Sequence, residues 1–106
     1  MNKRDEVFEA INEERSYQQS KWNENVTDSG GLHTLPEWLL YVESYVNEAK
    51  HVYSRFPNPQ GRVFCQHALR KIAALAVAAL EDHGVVTRAE EGPRPIGYTG
   101  PIMDKP

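Results

Sequence analysis

LRKIAALAVAALE, residues 69–81, is the stretch on which the fold turns. Between Leu69 and Leu80 nearly every position is apolar, so a helix here has no side that prefers water. Such a helix has to be covered from more than one direction, which makes it the centre of an all-α arrangement. The pattern predicts a helix over about Arg62–His83, ended by Gly84. Its purely apolar run, Ile72 to Leu80, is too short to cross a bilayer.

Upstream, Thr34-Leu-Pro-Glu37 is a strong helix start. Thr34 can cap, Pro36 suits the first turn, and Glu37 stands three residues after the cap, completing a capping box. Leu35, Leu39, Val42, Val46, Ala49 and Tyr53 then repeat at helical spacing and define the expected apolar face. This helix should stop before Phe56-Pro-Asn-Pro-Gln-Gly61, where two prolines remove backbone donors. The first helix is expected from about Lys3 to Ser20, with Val7, Phe8 and Ile11 on one side. Residues 23–33, with Asp28 and the Gly30–Gly31 pair, read as a loop. From Val85 onward the chain carries four of its seven prolines and three of its seven glycines, which reads as an extended tail.

The chain has 106 residues, enough for one domain, here 1–88, followed by the Pro/Gly-rich tail 89–106. The expected fold is a three-helix all-α protomer with two long antiparallel helices. Three helices around one almost wholly apolar member do not close a core, so a helical-bundle homo-oligomer, dimer or higher, is expected. The net charge of −3 supplies no global field for DNA, RNA or an anionic membrane, and none of these is an expected partner. The charged N-terminus has no apolar leader, and a cytoplasmic location is expected. The single cysteine, Cys65, excludes an internal disulfide and reads as a small hydrophobe rather than a catalytic thiol.

No P-loop, nucleophile elbow, dinucleotide fingerprint or paired metal-ligand spacing is present. Function has to be sought in stripes along helices. Glu37, Tyr41, Ser44 and Glu48 share one stripe, with Tyr45 beside it. A solvated face explains the polar members, but not two tyrosines. Glu37 and Glu48 have the chemistry to hold Mg2+ beside substrate phosphates, although Glu37 is already explained by the cap. In the central helix, Arg70 and Lys71 precede an alanine floor that ends at Glu81. The two cations can meet a phosphate, or Arg70 can simply pair with a neighbouring carboxylate. In the first helix, Tyr17 and Trp22 can stack on a base while Arg15 and Lys21 meet phosphate, and Trp22 also suits a plain core anchor. His33 joins this set of candidate ligand-binding residues.

Three segments carry a resemblance: E-R-x-Y-Q-x-x-K-W at 14–22, E-W-L-L-Y with Y-V-N-E-A at 37–49, and the stretch quoted first. Together they resemble small phage proteins, similar in layout to the MazG-like all-α nucleoside triphosphate pyrophosphohydrolases. The resemblance covers residues 6 to about 88. That family holds Mg2+ with a Glu-Glu-x-x-Glu run on one helix and Glu-x-x-Asp on the next. Carried over, the last glutamate of the first run is Glu48, while Ser44 and Tyr45 stand where its first two would be. The second run falls at Arg70 to Ala73, which holds no carboxylate. The resemblance thus implies a phage nucleotide-binding protein that has exchanged metal-mediated phosphate contacts for direct ones, with no cofactor. Small oligomeric phage proteins that sequester the signalling nucleotides of host defence, cyclic ones included, are the closest analogy in function. Two alternatives stand beside it. One is a Mg2+-dependent pyrophosphohydrolase with a rearranged site built from Glu37, Glu43, Glu48 and Glu81. The other is a protein-interaction module acting through a helical face or the tail.

Overall fold

A computed structural model describes residues 2–22, 33–92 and Gly97, and within them the chain is all-helical. Three helices, α1 (Lys3–Trp22), α2 (Leu35–Arg55) and α3 (Pro59–His83), are followed by a short 3-10 turn at Arg88–Glu90. The loop expected at 23–33 is described only at His33, and the tail beyond 92 only at Gly97. The side chain of Trp22 also lies outside the described residues.

The start of α2 follows its sequence. The Glu37 backbone N–H donates to Thr34 Oγ1 at 3.2 Å, and the Thr34 N–H donates to Glu37 Oε1 at 2.7 Å. The Thr34 N–H bond first, and a hydrogen bond from the Thr34 side chain second, hold the Glu37 carboxyl below its ordinary pKa. The stabilisation is therefore present above the ordinary carboxylate range and is lost as pH falls through the lowered value. Thr34→Ala should cost about 1 kcal/mol in urea unfolding at neutral pH. The difference from the parent should shrink in acid.

Helix α3 begins earlier than its apolar pattern indicates. Asn58 is the N-cap, its side chain accepting from the Gly61 N–H at 3.1 Å, and Pro59 takes the first helical position. A proline at that place has no N–H to waste and a φ already suited to the helix, so the residues that stop α2 also start α3. Gly84, at φ 94°, ends the helix as expected.

Helix α3 is the centre, packed by both α1 and α2, which make no close approach to each other. At 25 residues it is long and apolar enough to cross a bilayer, a test that the core helix of a soluble protein also passes. Its contacts with α2 run Ala49 with Cys65, Trp38 with Leu75 and Ala78, and His33 with His83. Cys65 is half-buried, its thiol 3.6 Å from the Ala49 carbonyl oxygen, in keeping with the bland reading of that residue.

The face of α2 that meets α3 is only partly the one its strongest repeat marks: Val42 and Ala49 of that repeat meet α3, together with Trp38 and Tyr45. Trp38, 4% exposed, is the only aromatic side chain buried among the described residues, and Val42, Tyr45 and Ala79 pack around it with Leu75 and Ala78. Leu35, Leu39, Val46 and Tyr53 stay exposed. Helix α2 carries two adjacent apolar stripes, and the one with the tryptophan faces inward. Tyr45 accordingly belongs to the core rather than to an outer stripe. On α1, Val7 and Phe8 are likewise exposed, while Ala10 and Ile11 are half-buried.

Candidate functional site

The seam between α1 and α3 is polar. Arg70 Nε donates to Glu14 Oε1 at 2.7 Å, and Arg15 Nε donates to Glu81 Oε1 at 2.6 Å. Arg70 also donates through Nη1 to His67 Nδ1 at 2.6 Å. An arginine only donates, so His67 meets it with a nitrogen lone pair. Between the ion pairs lies Gln18, 6% exposed, whose amide N–H reaches the Lys71 carbonyl oxygen at 3.4 Å. Its Oε1 is buried without a hydrogen-bond partner. A buried acceptor left in this state costs on the order of 1–3 kcal/mol. Ala74 and Ala78, 0% and 1% exposed, are the small residues that the sequence indicates at the centre of α3, and Ala78 packs on Trp38. The side chain of Glu81 is half in solvent and that of Arg15 largely covered, so this pair can exchange its carboxylate for another anion more readily than the Arg70–Glu14 pair can.

Beside the seam, the first half of α1 stands away from α3 and leaves an apolar groove of about 520 Å3. Val7, Ala10 and Ile11 form one wall, Val63 and Ala73 the other, and Arg70 with His67 forms a polar edge. The volume falls within the range of small-molecule sites, roughly 300–1,000 Å3. A second hollow, about 510 Å3, lies at the α2–α3 turn between Tyr53, Pro57 and Arg62.

The sequence candidates separate into groups. Arg70 with Glu14 and Arg15 with Glu81 mark two places along the seam, eleven α3 positions apart, and Lys71 enters it through its backbone carbonyl. Tyr17 is exposed on α1, with Lys21 Nζ 5.7 Å from its ring centroid, a cation–π contact on the surface. His33, Glu37 and Tyr41 gather at the start of α2. There His33 meets Trp38 and Tyr41 edge-on at centroid distances of 5.1 and 5.3 Å, and its Nδ1 is 3.9 Å from Glu37 Oε2. His83 fastens the group by donating from Nε2 to the His33 carbonyl at 2.7 Å.

The carboxylates of the enzyme alternative are dispersed within a protomer. Glu37 and Glu48 share one helix eleven positions apart, an axial rise of about 16 Å, which no single ion bridges. Glu37 is engaged in the cap and Glu81 with Arg15, and Glu43 and Glu48 are exposed. Among the described residues no three His, Cys, Asp or Glu side chains gather closely enough to hold a metal.

Sequence reasoning missed Glu14, Gln18 and His67 as parts of the site. Glu14 and Gln18 stand one turn apart on α1, as His67 and Arg70 do on α3, and that matched polar spacing was the available signal. No family model, no curated protein and no solved structure matches this chain.

Proposed function

We propose that this chain is a non-catalytic nucleotide-binding protein of a phage, sequestering a signalling nucleotide, cyclic forms included, against host defence. In this reading α2 and α3 form an antiparallel hairpin, and protomers associate as a helical bundle. The observation that carries the proposal is the position of Arg70 at the edge of an apolar groove of ligand size, with Arg15 on the adjoining seam and half-buried Lys71 next to it in sequence. A base or other flat apolar group suits the groove, and phosphate oxygens suit the cationic edge. The protein acts from the cytoplasm of the infected cell. The dispersal of Glu37, Glu48 and Glu81 favours direct cation contacts over a metal-bridged site, and so favours binding over hydrolysis.

The test incubates purified protein with linear, cyclic and ADP-ribose-type nucleotides plus Mg2+, removes the protein by filtration, and then heat-denatures it. A nucleotide missing from the filtrate and recovered intact on heating is the expected result. Arg70→Ala should weaken retention about 10- to 100-fold, the worth of one charge-assisted phosphate contact. Glu14→Gln, which releases Arg70 from its carboxylate, should retain the nucleotide at least as well as the parent. Equal retention by parent and Arg70→Ala would falsify the site. Recovery of monophosphate and pyrophosphate would establish the enzyme instead.

A further inference from the structure

We infer that a second copy of this chain covers the apolar face that α2 and α3 leave bare, and that the polar seam beneath α1 stays outside that interface. The inference rests on the oligomeric part of the proposed reading, and its test involves no ligand.

Taking roughly 100° per residue, Leu35, Leu39, Val46 and Tyr53 lie within about 40° of one another on α2. Leu69, Ala73, Ala76 and Leu80, spaced i, i+4, i+7 and i+11, make a matching stripe on α3. The exposure of the large members runs from 37% at Val46 to 67% at Leu39. Each stripe is turned away from the α2–α3 contact line in the same rotational sense. The order of the contacts, Ala49 with Cys65 and then Trp38 with Leu75, has α2 and α3 running in opposite directions. Equal rotations then bring both stripes to one side of the pair. The α3 residues that meet α1, Arg70 and Glu81 among them, are turned the opposite way. The N-terminal part of the α3 stripe, Leu69 and Ala73, borders the apolar groove beside α1, while Ala76 and Leu80 turn away from Arg70 and Glu81.

The bare side chains amount to roughly 600 Å2 per protomer, near the ~800 Å2 per partner of a stable interface before the alanines and rim are added. The face also complements itself. Large side chains dominate on α2, and alanines between two leucines on α3, so in a two-fold pair each copy sets its α2 against the other's α3. Its rim carries both signs, in Glu43, Lys50 and Arg62, whereas an anionic membrane surface attracts cations alone. The product is a four-helix core with one seam per copy still open to solvent.

Sedimentation equilibrium of the full chain at micromolar concentrations tests this, with circular dichroism on every sample. The parent should sediment at twice the chain mass or a higher multiple. Leu39→Glu and Leu80→Glu should each sediment as monomers, and Leu39→Ala with Leu80→Ala should weaken association at least tenfold while remaining helical. Leu40→Glu, which alters an equally exposed leucine on the far side of α2, should leave the mass unchanged. An oligomeric parent whose mass ignores Leu39 and Leu80 would overturn the face and leave the oligomer standing. A monomeric parent would overturn both, as would a parent that floats with phosphatidylcholine–phosphatidylglycerol vesicles instead of self-associating. Neither result bears on retention by Arg70.

Discussion

Trp38→Ala should lower the unfolding free energy by about 3–5 kcal/mol, the largest single loss available in this protein. Its indole fills the space between α2 and α3 against Leu75 and Ala78, with Val42, Tyr45 and Ala79 around it. The other buried apolar residues are three alanines and a leucine, so the rest of the buried core has little bulk with which to fill the void. The His33 and Tyr41 rings, which meet the indole edge-on, lose their shared partner as well. Thermal unfolding by circular dichroism should show a fall of about 15 °C or more. Trp38→Phe, which keeps an aromatic ring in the site, should recover much of it. A drop of only a few degrees for the alanine variant would show that the core lies elsewhere.

Gly61→Ala should be nearly as damaging, although alanine is the better helix former by about 1 kcal/mol. Gly61 is buried in the first turn of α3, and a β-carbon there would overlap the Phe56 carbonyl oxygen and crowd its carbon. The obstacle is backbone, so no rotamer change relieves it. The turn would have to open, drawing Asn58 away from the Gly61 N–H that it caps. Overpacking of this kind costs about 3 kcal/mol. Chevron kinetics can locate the effect: loss in the folding rate would mean that the α2–α3 turn is already formed in the transition state. A variant as stable as the parent would show that the turn gives way freely.

Local chemistry made much of this fold legible in the sequence. The Thr34–Glu37 box, the proline pair and Gly84 each act within a few residues of themselves, and the helix bounds they imply differ from the structure by only a few residues. The central place of α3 was legible because a helix apolar all round has no other place to go. The facing of α2 was not. Its stripe of leucines and its stripe through Trp38 are both regular, and periodicity alone does not say which meets the same chain and which is left over. Tyr45 shows the difficulty: its hydroxyl suits an outer stripe, but its ring belongs with the tryptophan. At the candidate site, Arg15 and Arg70 were legible as cations out of place on a packed helix. Their pairing with Glu81 and Glu14 was not, because which turn of α1 meets which turn of α3 is a tertiary property.

The polar seam has a consequence for how α1 finds its place. Ion pairs taken out of water return little net energy, because desolvation offsets most of their attraction. The two here have opposite polarity: α1 supplies the acid to Arg70 and the base to Glu81. A docking that exchanged the partners would set Glu14 against Glu81 and Arg15 against Arg70, like against like. The seam thus acts as a key more than as a glue. It rejects wrong registers of a helix that hydrophobicity alone would have let slide along the alanines of α3.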